Sequence, residues 1–407
     1  MSQGGHPAKP NLITVDAARA AMLGAIKALP AERVALDTAY RRVLREGVRA
    51  DRDQPPFAVS AMDGYAARSA DTPGLLRLAG ESAAGRGFEG RCEVGQTIRI
   101  STGAAVPDRA DTVVMQEDIL REGDSVRMPA SSAGSYIRPR GGDFVAGDAL
   151  LESGCVLDGV AISLAAASGA ANVLVARMPR IAILSSGDEL AAQGTVPGPW
   201  QIFDSGTFGM AGLIQGWGGI PNRLAVARDD VAAIARAAGY GLAEGDLLLV
   251  VGGASVGEHD HAHPALMRLG LELVVDKVAV RPGKPTWFGV TPQGPVLGLP
   301  GNPASAMVCA HLFLRPILAA MLGCAASPVF HRARLARALP ANGPREHYLR
   351  ARWDSDGNGC LTVQAFEDQD SSLISVFAAA NALIRLPANA PVIADGAAVD
   401  ILMLDRL

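Results

Sequence analysis

From Pro179 onward two kinds of apolar pattern take turns along the chain. "RIAILSS" is a short continuous apolar run, as expected of a strand buried on both faces. "DSGTFGMAGLIQGWGG" carries apolar residues at helical spacing, with Asp204 or Ser205 as its cap. "NRLAVAR" then reads as strand, "DDVAAIARAAGYGLAEG" as helix capped by Asp229 or Asp230, and "DLLLVVGG" as strand. A last helix follows Gly301–Pro303 and ends near Leu322. Alternating β and α units predict a mostly parallel, doubly wound sheet with helices on both faces.

The flanking regions differ in texture. "TVDAARAAMLGAIKAL", Thr14 to Leu29, predicts an amphipathic helix with a capping residue at its start. Between about Gln54 and Arg140, short alternating runs ("LLRLAG", "QTIRIS", "TVVMQ", "SVRMPA") separated by Gly, Pro and Ser predict a small β-rich domain. "VLDGVAISLAAASGAANVLVAR" reads as a helix ending near Gly169 and then a strand. After Pro328, "ARLARAL", "YLRARWD", "CLTVQAF" and "VDILML" predict a small β-barrel or sandwich.

Composition narrows the class. The 407 residues are 49 % hydrophobic and 19 % charged, which suits several packed cores and excludes disorder. Lys and Arg number 37 against 41 Asp and Glu, a net charge of −4, which argues against non-specific nucleic-acid binding. "SAMVCAHLFLRPILAAML" is interrupted by His311 and Arg315, so it reads as a buried helix, not a membrane span. The N-terminal segment has no apolar signal-peptide core. Five scattered cysteines without a CxxC read as buried thiols of a reducing compartment, which makes the cytoplasm the expected location.

Ligands of doubly wound sheets bind beyond the carboxyl ends of the strands. One rim is therefore expected to gather Ser186-Gly187-Asp188-Glu189, Asp229-Asp230, Gly252-Gly253, Ser255, Asp260, Arg281 to Lys284, and Pro300-Gly301-Asn302-Pro303. Glycines let backbone N–H groups approach phosphate, and a helix N-terminus adds about half a positive charge. Lys277, Arg281 and Lys284 supply cations, and the acids can hold a hydrated Mg²⁺ or position water. The rim suits a polyanionic small ligand. Other readings are open for single motifs. Gly253 to Gly257 matches G-x-S-x-G, but "GEHDHAHP" after it is a poor helix start for a nucleophile elbow. His259, His261 and His263 alternate as a zinc pair would, with no further ligand set at metal spacing. "RPGKPT" lacks the first glycine of a Walker A loop. In the β-rich region, Asp63-Gly64 reads as a tight turn, Ser101 to Gly103 as a strand end, and "IRPRGGDF" as a hinge.

Eight segments, in order, carry a resemblance: "PPFAVSAMDGYA", "ISTGAAVPDRADTVVMQE", "IRPRGGDF", "ILSSGDEL", "ARDD", "VGGASVGEHD", "KVAVRPGKP" and "GLPGNPASA". Together they resemble the molybdopterin molybdenumtransferases, the MoeA and gephyrin E-domain family. The resemblance implies four domains: a discontinuous helical domain (12–54 and 141–177), a β-rich domain (55–140), a doubly wound MogA-like molybdopterin-binding domain (178–325) and a C-terminal β-barrel (326–407). It implies a homodimer with the active site between the doubly wound domain of one chain and the β-rich domain of its partner. The implied reaction is Mg²⁺-dependent insertion of molybdate into adenylylated molybdopterin with release of AMP. Transient contact with the adenylyltransferase and with apo-molybdoenzymes would follow. Asp63, Thr102 and Asp143 match functional positions on the β-rich side, and Glu189 and Asp260 join Asp63 and Asp143 as catalytic candidates. Asp188, Glu189 and Asp260 are the metal candidates, while Arg350 and Ser371 lie where oxyanion contacts are expected.

Three positions depart from the family pattern. Gly206 stands where Asn is usual, Val251 where Ser or Thr is usual, and Asp370 where Gly is frequent beside Ser371. A carboxylate facing molybdate would repel it. A binding or delivery paralogue is thus the alternative reading, and a hydrolase using Ser255 a further one.

Overall fold

The computed structural model describes residues 12–252, 261–325, 327–355, 357 and 359–404. The Gly253, Ser255 and Asp260 expectations, with the rest of the 253–260 loop, therefore lie outside the described residues. The chain divides into a larger unit, up to Glu32 and from Ala176 on, and a smaller one, Arg33–Val175.

The larger unit begins with α1 (Val15–Gly24), capped by Thr14, whose Oγ1 accepts from the Ala17 N–H at 3.2 Å. It ends at Gly24, a poor helix former, short of the expected Leu29. The sheet that follows uses β1 (Arg180–Ser185), β2 (Ile220–Arg223), β3 (Leu247–Val251), β4 (Glu272–Val275), β5 (Trp287–Thr291) and β6 (Gly294–Leu299) in the order β2-β1-β3-β6-β5-β4. The first four are parallel, and β5 and β4 add an antiparallel edge. Helices α2 (Gly206–Gly216), α3 (Val231–Glu244), α4 (Ala262–Met267) and α5 (Pro303–Cys309) flank the sheet. A π turn at Ala310–Leu314 leads from α5 into α6 (Arg315–Leu322).

Both faces of the sheet are dry. Ile181, Ile183, Leu247 and Leu249 point into one core with α1, α2 and α5, whereas Ala182, Leu184, Leu248 and Val250 point into the other with α3 and α4. The continuous apolar strands are thus buried on both sides, each large side chain contributing about 1.5–3 kcal/mol. The Pro303–Leu322 helix is long and apolar enough to cross a membrane, but 78 % of its window is buried in this core. Asp230 caps α3 by accepting from the Ala233 N–H at 2.8 Å. At α2 the capping carboxylate is Asp204.

Two strand expectations shift. Only Asn222 and Arg223 of "NRLAVAR" fall in the edge strand, which is Ile220–Arg223. Leu224 instead packs toward the α3 core, and Ala227 keeps a single bridge to Ser186. Arg281 to Lys284, expected beyond a sheet strand, instead follow Val280, whose Val280–Arg281 segment lies outside the sheet and pairs in parallel with Glu346–His347.

Those partners belong to the C-terminal barrel. Strands β7 (Phe330–Leu335), β8 (Glu346–Ser355), β9 (Leu361–Ala365), β10 (Ala382–Leu386) and β11 (Ala398–Met403) close in the order β8-β9-β7-β11-β10 and back to β8. Helix α7 (Ile374–Ala379) lies between β9 and β10 in the chain. Leu335, Leu349, Val363, Ile384 and Ile401 fill the barrel.

In the smaller unit a six-stranded sheet runs Thr112–Met115, Gly64–Ala67, Gln96–Ile100, Gly74–Ser82, Ser125–Met128, Leu120–Glu122. Residues 33–54 and 141–175, read with 12–32 as a helical domain, contribute one α-helix, Gly159–Ala167, and short strands around their own core. Residues 12–32 pack with the larger unit through α1. None of the five cysteines is in a disulfide, but only Cys92 and Cys309 are buried, and Cys360 is exposed.

Candidate functional site

The carboxyl ends of β1, β3 and β6 open onto a cavity of about 560 Å³. Ser185 and Ser186 lie at the end of β1, Val251 and Gly252 at the end of β3, and Pro300, Gly301 and Asn302 just past β6. Gly252 adopts φ +91°, and a Cβ on Gly301 would sit 3.3 Å from the Gly252 Cα. Two strand ends therefore approach closely backbone to backbone, and the positive φ at Gly252 favours glycine there. Two helices start at the cavity: α2 at Gly206, and the Pro303–Leu322 helix with Pro303 in its first turn. Converging helix N-termini favour anions.

A second cavity of about 370 Å³ shares Pro285, Pro300 and Asn302 with the first, so the two form one cleft. Arg281, Lys284, Arg345 and His347 line it, with Ser305, Asp370 and Ser371. Arg281 and Lys284 arrive here by way of the Val280–Arg281 pairing with the barrel, not at the end of a sheet strand as expected. Asn302 Nδ2 donates to Ser371 Oγ at 2.8 Å and ties the α5 start to the barrel. Burial first, then the charges of Arg281, Arg345 and Arg350, push the His347 imidazole down to about 4. The second cavity is thus strongly positive, with His347 neutral at pH 7.

Arg350 does not line the cleft but lies under it, 1 % exposed. Its Nη1 donates to the Asp370 carbonyl at 2.7 Å and its Nε to Gln369 Oε1 at 3.2 Å, while Nη2 is buried without a partner. Burial lowers its pKa from the usual arginine value. Asp370 turns its carboxylate back onto its own loop: Oδ1 accepts from the Ser372 N–H at 2.8 Å and the Ser372 hydroxyl at 2.6 Å. These bonds hold its pKa below the ordinary carboxylate value. The acid satisfies a turn, a habit of Asp in loops.

At the other end of the cleft Glu189 lines the wall, and its carboxylate lies over Gly187. Among the described residues it has no cation partner. Asp188 is exposed beside it and lines neither cavity. Ser185 Oγ is buried without a hydrogen-bond partner. Asp204, 5 % exposed, accepts from the Thr207 N–H at 3.1 Å and from the Thr207 hydroxyl, with Arg223 at 3.8 Å.

Of the expected rim, Ser186, Glu189, Gly252, Arg281, Lys284, Pro300, Asn302, Pro303 and Ser371 line the cleft, and Gly187 is buried at its edge. Asp229 is exposed beside the α3 cap and lines no part of it. Lys277 pairs with Asp276 at 3.7 Å and lines neither cavity. His261 stands at the start of α4 and His263 stacks on Trp287 at 4.6 Å. Among the described residues no group of three or more His, Cys, Asp or Glu is poised on a metal. Asp204, Ser305, Arg345 and His347 are cleft residues that sequence reasoning missed. Ser305 was within reach, because it stands in the first turn of a helix starting at Pro303.

In the smaller unit Asp63 Oδ1 accepts from the Thr102 N–H at 2.6 Å, across 39 residues of chain. That bond, with the nearby Arg99 charge, lowers the Asp63 pKa. Asp143 is exposed on its loop, its N–H donating to the Gln54 carbonyl at 2.9 Å.

Two departures turn out to be neighbours. A Cβ on Gly206 would come within 3.2 Å of Val251 Cγ1. Gly206→Asn alone is expected to overpack this contact and cost about 1–2 kcal/mol, and adding Val251→Ser to recover most of it. Thermal unfolding of both single variants and the double variant reads this, and strictly additive shifts would refute the coupling.

Three family models tile the chain: the MoeA N-terminal region (domains I and II) over residues 13–169, a probable molybdopterin binding domain over 182–320, and the MoeA C-terminal region (domain IV) over 332–404. A molybdopterin molybdenumtransferase of Nostoc is 34 % identical over 92 % of this chain and 88 % of its own length. That of Haemophilus influenzae is 32 % identical over 92 % of this chain and 94 % of its own. The crystal structure of a molybdopterin biosynthesis MoeA protein from Pyrococcus horikoshii superposes with a TM-score of 0.83 at 26 % identity, over 97 % of this chain and 100 % of that one. The cleft therefore lies in a chain that belongs to the MoeA family of molybdopterin molybdenumtransferases.

Proposed function

We propose that this chain inserts molybdate into adenylylated molybdopterin, releasing AMP and yielding molybdenum cofactor. The observation that carries the reading is the division of the cleft. One end has glycine strand ends and two helix starts around Glu189, and the other has Arg281, Lys284 and Arg345 with Arg350 beneath. The first suits a pyrophosphate and the second an oxyanion such as molybdate. Phe203 and Ile202, on the wall of the first cavity, offer apolar surface to a flat ring.

In this mechanism the helix starts and Asn302 hold the phosphates, and Lys284 neutralises charge as the anhydride breaks. Water supplies the new oxygen on phosphorus, molybdopterin keeps its phosphate, and AMP leaves; the two dithiolene sulfurs then bond to molybdenum as one molybdate oxygen departs as water with the two thiol protons, with no change of oxidation state. Ser371 and Ser305 hold molybdate through their hydroxyls, and Arg350 braces the Asp370–Ser371 turn. Magnesium is bound by one or two carboxylates plus substrate phosphates, so Glu189, with Asp188 beside it, fits the ion without a larger acid cluster. When bound, Mg²⁺ would offset phosphate charge in the transition state. Purified protein mixed with adenylylated molybdopterin, Mg²⁺ and molybdate should release AMP and activate an apo-molybdoenzyme, both rising with molybdate. Ligand binding with neither signal would favour a delivery paralogue.

The same reading makes the protein a homodimer whose cleft is completed by the partner's smaller unit, the source of Asp63, Thr102 and Asp143. Asp63→Ala and Glu189→Ala chains should each be inactive alone. Co-expressed, random pairing leaves one intact site in each mixed dimer, so about a quarter of parental AMP release should return. No recovery would place both groups in one chain's site.

A further inference from the structure

The long helix that starts at the cleft holds a polar group that the proposed reaction does not use. His311 lies in the π turn between α5 and α6, and such turns often mark functional positions. It is 4 % exposed in a core of Leu, Phe and Val side chains. Trp217 meets its ring edge-on at 5.0 Å, and Phe377 lies at 6.3 Å. Its Nδ1 is sealed from water and has no hydrogen-bond partner. Burial, helped by the Arg315 charge, pushes the imidazole down to about 3, so the ring is neutral. A buried polar side chain without partners calls for an explanation.

The ring forms part of the wall of a cavity of about 430 Å³. Arg315, one turn further along, lines the same space, and Pro316, Val329, Leu402 and Met403 make its apolar walls. No residue of this cavity lines the cleft. We propose that it is a second ligand site, for a small organic monocarboxylate with an apolar body. The carboxylate sits between Arg315 and His311, and the body lies against Leu402 and Met403. A neutral imidazole that carries its proton on Nε2 can donate it to the carboxylate, and one guanidinium matches one carboxylate. An inorganic dianion would leave charge uncompensated against apolar walls, which is costly. The volume falls in the range of small-molecule pockets, about 300–1,000 Å³.

Calorimetric titration of the full chain with benzoate tests this, with benzyl alcohol and inorganic phosphate as comparators. One saturable benzoate site is expected, unchanged in Lys284→Ala, which alters only the cleft. Arg315→Met should weaken it about tenfold or more. Ala319→Phe, a change at a partly exposed wall residue, should fill the cavity and remove binding. Thermal unfolding checks that each variant is folded, and if Ala319→Phe is not, Arg315→Met decides. Absence of saturable benzoate binding, equal affinity for benzyl alcohol or phosphate, or benzoate binding that folded Arg315→Met leaves unchanged would each overturn the site.

Discussion

Glu189→Gln is expected to slow AMP release by about 10²–10³-fold while ligand binding changes little, because the variant keeps the shape of the side chain and loses its charge. Two observations put the effect on turnover. The carboxylate lines the cleft without a cation partner among the described residues, so its charge is available to the ligand side. It also lies against Gly187, where a Cβ would come within 2.3 Å of Glu189 Oε2. Gly187→Ala should therefore displace the carboxylate and slow AMP release in the same direction, since the flexible acid moves more easily than the strand. Its backbone, at φ +149°, adds a modest loss of stability. Measuring AMP release against Mg²⁺ concentration separates the roles. A carboxylate that holds the ion shifts the Mg²⁺ dependence to higher concentration when neutralised, whereas one that positions water lowers the plateau. Parental turnover in Glu189→Gln would remove Glu189 from the mechanism.

What could be read from the sequence was local. Thr14 and Asp230 cap helices because a cap depends on three or four consecutive residues. The doubly wound sheet followed from continuous apolar runs, which only a strand covered on both faces tolerates. Gly252 and Gly301 were legible as glycines at strand ends, although their mutual approach was not. What failed was non-local. Val280–Arg281 joins the barrel by pairing with Glu346–His347, more than sixty residues away, and no periodicity announces such a pairing. The same pairing carries Arg281 and Lys284 to the barrel side of the cleft while Lys277 lines neither cavity, and it brings in His347, which no motif suggested. The direction of Asp370 was open for a different reason. Its place beside Ser371 suggested a charge facing the anion, yet an Asp two residues before a serine can equally close its own turn, and here it does.

Arg350→Met is expected to cost about 1–3 kcal/mol of stability and to raise the molybdate concentration needed for half-maximal transfer by about tenfold or more. The stability loss arises because the guanidinium satisfies buried acceptors: the Asp370 carbonyl at 2.7 Å, the Leu373 carbonyl at 3.4 Å and Gln369 Oε1 at 3.2 Å. Methionine fills the space and removes these guanidinium bonds, leaving each oxygen a single backbone N–H partner: Leu373 N–H on the Asp370 carbonyl at 3.2 Å, Phe377 N–H on the Leu373 carbonyl at 3.4 Å and the residue-350 N–H on Gln369 Oε1 at 2.9 Å. The functional loss arises because the Asp370–Ser371 turn is held from beneath by this one side chain, and Ser371 in turn is held by Asn302. Arg350→Lys separates the two effects. It keeps a positive charge under the turn but cannot reproduce the planar fork. If Arg350 acts as a positioning residue, the lysine variant resembles methionine in its molybdate dependence. If field alone matters, lysine recovers most of the parental value. A methionine variant with reduced thermal stability and unchanged molybdate dependence would confine Arg350 to the packing of the barrel.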